Sequence, residues 1–138
     1  MNALETTTSS LAVTATGDVF VTETDGVTLE TVSVSVTRVL NTGGNATADA
    51  VATVALGGDD IVVRTLAGAL LTQATGNLTA TGNVLLQAGG ATSNLELGMG
   101  VISSGGHISL AAGQDLLLNA NVAATAATRP STCWPGAT

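Results

Sequence analysis

The chain contains no Lys and no Tyr, and only single copies of Phe, Trp, His and Cys among its 138 residues. Charged residues make up 9%, against about 25% in an ordinary globular domain. A core of packed aromatic rings is therefore excluded, and burial has to come from many small aliphatic side chains in thin layers. The lone Cys133 cannot close an internal disulfide, and no Cys/His spacing matches a zinc site. Arg38, Arg64 and Arg129 face ten acidic residues, for a net charge of -7. No basic patch is available to neutralise phosphates, which excludes nucleic-acid binding. Long apolar runs are missing too. The longest nearly apolar stretch, Ala48 to Leu56, is broken by Asp49 and Thr53, so no membrane insertion is expected. Met1 to Ser10 lacks the basic stretch followed by an apolar run that marks a secretion signal.

What is abundant is Gly (17), Ala (22), Thr (23) and Val (15). Leu, Ile, Val and Phe make up about a quarter of the chain, above the roughly 20% below which chains stay disordered. The chain should fold. A mildly acidic, Thr-rich surface without Lys is typical of secreted or cell-surface proteins, which points to an extracellular or outer-surface location reached through a signal outside this sequence.

Self-similarity sets the architecture. Residues 58–81, 82–105 and 106–128 form successive segments of 24, 24 and 23 residues. Gly82, Asn83, Val84, Leu86, Ala88 and Gly89 match Gly106, His107, Ile108, Leu110, Ala112 and Gly113. Further on, Asn94, Leu95, Leu97 and Val101 match Asp115, Leu116, Leu118 and Val122. Segment 58–81 is looser and offers Ile61, Val63, Leu70 and Leu78 as inward positions, and Gly17-Asp18-Val19-Phe20-Val21 opens in the same way. Apolar alternation over three to five positions, broken by Gly, Asn or Asp, reads as short strands joined by tight turns. No window carries a capped helical stripe. Units of this size cannot bury their own inner faces, so they must stack on copies of themselves. The expected fold is an all-β solenoid of parallel strands with rungs of about 24 residues. Val84 and Leu86 should sit over Ile108 and Leu110, with Gly and Asn at the corners supplying left-handed backbone.

Residues 27–56 break the pattern. Val32, Val34 and Val36 alternate with Ser33, Ser35 and Thr37, and after Asn41-Thr42-Gly43-Gly44-Asn45 a second strand-like run extends from Ala48 to Leu56. This predicts an inserted β-hairpin, either an irregular rung or a projecting ribbon. The resulting division is 1–16 as an N-terminal strand or lead-in, 17–56 as an irregular rung with the hairpin, 57–128 as regular repeats and 129–138 as a tail outside the repeat.

The runs Gly82-Asn83-Val84-Leu85-Leu86-Gln87-Ala88-Gly89-Gly90 and Gly106-His107-Ile108-Ser109-Leu110-Ala111-Ala112-Gly113 resemble the repeats of filamentous-haemagglutinin-like bacterial adhesins and related giant exoproteins. That resemblance covers 58–128 well and extends to 17–29. It implies a right-handed parallel β-helix in a surface stalk or adhesive filament that meets a host or neighbouring cell surface, glycans included. The matching positions are structural and carry no catalytic residues. Neither end looks like a polar cap, which reads as a piece of a longer solenoid, or as a surface for end-to-end association. The last ten residues hold both prolines, Cys133 and Trp134; an out-of-frame translation of a further repeat and an ordinary unstructured terminus both account for them.

Side chains that could carry chemistry have plainer readings. His107 takes the turn position of Asn83 and is a corner residue before it is a catalyst. Asp59-Asp60 after Gly57-Gly58 resembles one calcium-binding glycine-aspartate nonapeptide, but such sites need the motif repeated on successive turns. Glu23, Asp25, Asp59, Asp60 and Arg64 could assemble an acid/base cleft of the kind polysaccharide-cleaving β-helices use; solvated turns explain them better. The pairs Thr14/Thr16, Thr22/Thr24 and Thr79/Thr81 would suit an ice-binding face if they recurred on every rung, and otherwise reflect β-propensity. Asn45-Ala46-Thr47 and Asn77-Leu78-Thr79 match the glycosylation acceptor pattern, common by chance in a Thr-rich chain. No catalytic, cofactor-binding or metal-binding residue is assigned and no cofactor is expected. The sequence reads as a non-enzymatic adhesive repeat, with a carbohydrate-active β-helix fragment and a gene remnant as the alternatives.

Overall fold

The computed structural model describes residues 3–51, 56–73 and 77–125. Short strands separated by Gly-, Asn- and Asp-containing turns repeat along the chain in sets of three. The first set is β1 (Leu4–Thr6), β2 (Ser10–Leu11) and β3 (Val13–Thr14). The second begins with β4 (Val19–Glu23) and β5 (Val27–Leu29), is interrupted by β6 (Ser33–Val39) and β7 (Asn45–Val51), and resumes with β8 (Leu56–Gly58). Three regular sets follow: β9 (Ile61–Thr65), β10 (Leu70–Thr72) and β11 (Leu78–Ala80); β12 (Val84–Ala88), β13 (Leu95–Leu97) and β14 (Val101–Ser103); β15 (Ile108–Ala112), β16 (Leu116–Leu118) and β17 (Val122–Ala124).

Corresponding strands of successive sets pair in parallel. They form three five-stranded sheets, β1-β4-β9-β12-β15, β2-β5-β10-β13-β16 and β3-β8-β11-β14-β17. The described residues contain no helix, and so none long and apolar enough to cross a membrane. The described residues form an all-β, repeat-built, solenoid-like stack of five rungs. Its register reproduces the sequence alignment: Val84 pairs with Ile108 and Leu86 with Leu110, Leu95 with Leu116 and Leu97 with Leu118, and Val101 with Val122.

This register fixes the core. Because strand side chains alternate between faces, each rung points two or three residues inward from each sheet, and parallel pairing stacks them in columns about 4.8 Å apart. On the first sheet Val21, Val63 and Leu86 form one buried column continued by Leu110. On the second sheet Val27, Leu70 and Leu95 form another, and on the third Leu56, Leu78 and Val101. Leu and Val fill a narrow interior without aromatic rings, and full burial of each such side chain contributes roughly 1.5–3 kcal/mol.

Buried hydroxyls interrupt the columns, and each holds a turn. Thr72 stands between Leu29 and Leu97 in the second sheet, and its Oγ1 accepts from Gly98 N at 2.9 Å and Met99 N at 3.2 Å. Thr65 Oγ1 donates to Gly68 O at 2.8 Å and accepts from Gly89 N at 3.2 Å. Ser103 Oγ donates to Gly82 O at 2.6 Å and accepts from Gly106 N at 3.0 Å. Among the described residues no buried side-chain polar atom lacks a hydrogen-bond partner.

The corners bear out the sequence expectation for Gly but not for Asn. Among the described residues left-handed backbone is confined to Gly43, Gly68 and Gly90, and no non-Gly residue has positive φ. Gly68, at φ 85°, also approaches Gly26 so closely that a Cβ would lie 2.6 Å from its backbone nitrogen. Asn and Asp serve instead through their side chains. Asp18 Oδ1 accepts from Asp60 N at 3.2 Å, Asp60 Oδ1 from Asn83 N at 2.7 Å, and Asn83 Oδ1 from His107 N at 3.0 Å. A shorter ladder joins Asn94 Oδ1 to Asp115 N at 3.2 Å. Amide and carboxylate oxygens reach across one inter-strand spacing and satisfy the turn N–H of the next rung.

β6 and β7 pair antiparallel with each other alone, from Ser33↔Val51 to Val39↔Asn45. All of β6 is exposed, which makes the hairpin a projecting ribbon. Its boundaries are tighter than the alternation implied: Val27–Leu29 and Leu56 belong to the stack, with Leu29 and Leu56 fully buried.

Candidate functional site

The corner ladder accounts for His107 and Asp60. His107 is exposed at the end of the series Asp18, Asp60, Asn83, where its backbone N–H is the group held. Asp60 also accepts from Asn83 Nδ2 at 3.2 Å. Asp59 lies on the adjoining turn, its Oδ1 accepting from the Thr81 hydroxyl. Among the described residues no group of three or more His, Cys, Asp or Glu side chains could hold a metal ion.

Glu23 is fully buried. It ends β4 at an inward position, and its carboxylate accepts from Thr6 Oγ1 at 2.5 Å, Thr8 N at 3.0 Å and Thr24 N at 3.2 Å. The carboxylate thereby ties the first rung, whose strands are only two or three residues long, to the second. Pairing of β4 with β9 aligns Val19 with Ile61 and Glu23 with Thr65. Asp60 therefore lies five positions back along the strand direction, about 16 Å away at 3.3 Å per residue. Arg64 points to the opposite face, exposed beside Thr22. Glu23, Asp59, Asp60 and Arg64 do not converge into one cleft.

The Thr pairs fare otherwise. Thr22 and Thr24 belong to the first sheet and its turn, whereas Thr14/Thr16 and Thr79/Thr81 lie on the outer face of the third. Pairing aligns Thr14 with Gly57 and Gly57 with Thr79, so two threonines stand on either side of a residue without a side chain. Two positions further along, the same register aligns Thr16, Asp59 and Thr81, where Ala15 N bonds to Gly57 O at 3.0 Å and Thr81 N to Gly58 O at 3.1 Å. Thr14, Thr16, Asp59, Thr79 and Thr81 are exposed and Gly57 is buried at the bottom. They line an open groove of about 630 Å³, bounded on its far side by Ile102 and Ser104.

Hydrogen bonding in the groove is uneven. Thr81 is committed to Asp59, and Ser104 Oγ donates to Ala80 O at 3.3 Å. The hydroxyls of Thr14, Thr16 and Thr79 have no partner among the described residues. Gly57 and Asp59 bring about this arrangement, and neither belongs to a Thr-x-Thr pair. The signal that could have found them is the outward column of the third sheet, which only the register defines.

Asn45 begins β7 at the ribbon's tip and Asn77 directly precedes β11; both are exposed. The tail 129–138, with Cys133 and Trp134, lies outside the described residues. The fold defines a class, an all-β solenoid-like repeat protein. Comparisons with protein families, curated proteins and solved structures found no match.

Proposed function

We propose that this chain is a structural and adhesive repeat segment of a large bacterial surface or secreted protein, coiled as a right-handed parallel β-helix and working outside the cell. The observation that carries the reading is the separation of roles within each rung. Inward positions are mostly aliphatic, interrupted by buried hydroxyls that anchor turns, and an outward column of the third sheet carries the small polar side chains Thr16, Asp59, Thr81 and Ser104. A surface of this kind makes many weak contacts, and repetition sums them: linked copies gain about 10²–10⁴ in avidity over one copy without any new contact. The likeness of the 82–113 repeats to filamentous-haemagglutinin-like adhesins supports the same reading. Leu116 and Leu118 occupy core positions yet are 45% and 54% exposed at the last described rung, which suits a further like rung stacked there. The carbohydrate-cleaving alternative is disfavoured by the distance between Glu23 and the Asp59-Asp60 turn.

The test compares binding of the soluble protein and of protein coated densely on beads to cultured epithelial cells. Bead attachment that is saturable, competed by soluble protein and far tighter than monomer binding is the expected result. Equal affinities for soluble and bead-bound protein, or release of reducing ends from a polysaccharide, would overturn it.

A further inference from the structure

We infer that the groove on the third sheet is a binding site for an uncharged carbohydrate chain. The inference deepens the adhesive reading by naming a ligand class, and it stands on the geometry of Thr14, Gly57, Asp59 and Thr79.

Room comes first. The missing side chain at Gly57, flanked by Thr14 on β3 and Thr79 on β11, leaves a trough between two strands whose backbones lie about 10 Å apart. Its volume of about 630 Å³ falls within the roughly 300–1,000 Å³ of small-molecule sites. That is enough for a pyranose ring lying over the glycine.

Unused hydrogen-bonding capacity comes second. The hydroxyls of Thr14, Thr16 and Thr79 are unpartnered among the described residues, and each can both donate and accept. Asp59 spends one oxygen on Thr81, and a carboxylate has about four acceptor sites, so it can still take hydroxyl donors. Ile102, 44% exposed at the groove edge, offers an apolar patch to the C–H face of a sugar.

Other ligand classes fit poorly. The backbone of β8 is paired on both sides, with β3 and β11, so an extended peptide could add a strand only at the outer edge of β3, beyond the trough. No cation lines the groove, and Asp59 repels phosphate, sulfate and uronate groups. A ligand rich in hydroxyls and free of charge remains. Groove positions also recur at every strand, about 4.8 Å apart, a spacing close to one residue of an extended β-1,4-linked chain, so a polymer can run along the stack and meet Thr16, Asp59, Thr81 and Ser104 in turn.

The experiment is an amide chemical-shift titration of the ¹⁵N-labelled full chain. The probes are cellohexaose, chitohexaose, maltohexaose and mannohexaose, with a heparin hexasaccharide as the polyanionic control. Saturable shifts at Gly57, Asp59, Thr79 and Thr81 with at least one uncharged probe, and none there with heparin, are expected. Gly57→Val places an outward, strand-favouring side chain in the trough and should weaken binding roughly tenfold with the thermal transition unmoved. Thr79→Val, which removes one hydroxyl without changing shape, should weaken it roughly threefold. No saturable shift with any uncharged probe at millimolar concentration, a preference for heparin, or unchanged affinity in Gly57→Val overturns the inference. Bead attachment that survives Gly57→Val overturns the groove and leaves the adhesive reading standing. Saturable oligosaccharide binding without bead attachment does the reverse.

Discussion

Replacing Glu23 by Gln should detach the first rung while leaving the rest of the stack folded. The carboxylate is fully buried and receives three donors: the Thr6 hydroxyl, the Thr8 amide and the Thr24 amide. Two of these belong to the first rung, whose strands are too short to hold themselves. Hydrogen bonds to a charged group are worth roughly 1.5–3 kcal/mol each, against about 1 for neutral pairs. The amide keeps one acceptor oxygen and can reverse the bond to Thr6, so Glu23→Gln should lose the charge assistance alone, about 2 kcal/mol. Glu23→Ala also strands the Thr8 amide, while Thr24 N keeps Thr6 O at 3.1 Å, and should lose about 3 kcal/mol. In a stack held by nearest-neighbour contacts the loss is local. Hydrogen exchange followed by NMR is the assay: amides of Leu4–Thr14 should exchange roughly thirtyfold faster in Glu23→Gln, with those of Ile61–Thr65 and Val84–Ala88 unchanged. Loss of protection throughout the chain, or unchanged exchange in the first rung, would refute the argument.

Leu86→Ala removes the middle of a column between Val63 and Leu110 at a position with 0% exposure. It should cost about 2–5 kcal/mol in denaturant unfolding, whereas Leu85→Ala on the outer face should cost under about 1. Gly68→Ala meets both a left-handed backbone and a contact with Gly26, and should lower stability by at least about 2 kcal/mol on the same curve. Excising residues 33–51 and joining the ends through a short polar turn should keep the thermal transition within a few degrees. The third rung crosses from Thr72 to Leu78 with only five intervening residues, so the stack does not need the ribbon; a collapsed transition would count against its independence.

Much of this architecture was legible before the structure because β12 and β15 carry matching apolar residues at every second position, Val84, Leu86 and Ala88 against Ile108, Leu110 and Ala112, and such pairs dictate both burial and register. The second rung was half legible, since the ribbon separates β5 from β8 and hides that Val27–Leu29 and Leu56 belong to one turn. The first rung was not legible. Its strands run two or three residues, too short for a period to emerge, and Leu4 pairs with Val21 at an offset of 17 where the three regular rungs use 23 and 24 on the same sheet. Thr65 and Thr72 carry no mark in a Thr-rich sequence that distinguishes a buried turn anchor from an exposed strand residue. The corner expectation erred for a related reason: Asn83 suits a left-handed turn and a side-chain ladder equally, and the ladder prevails because the next rung presents an N–H at the right distance. The groove was least legible, since Thr14, Gly57 and Thr79 become neighbours only once the register across the ribbon is known.

The central claim is that successive rungs pair in parallel at this register, and through-space NMR contacts test it most directly. Leu86 methyl groups should contact both Val63 and Leu110, Gly57 should contact both Thr14 and Thr79, and strong Hα–Hα contacts should be confined to the pairing of β6 with β7. Strong Hα–Hα contacts between neighbouring strands of one repeat, such as β12 with β13, would mean antiparallel hairpins and contradict the stack, its core columns and the groove together.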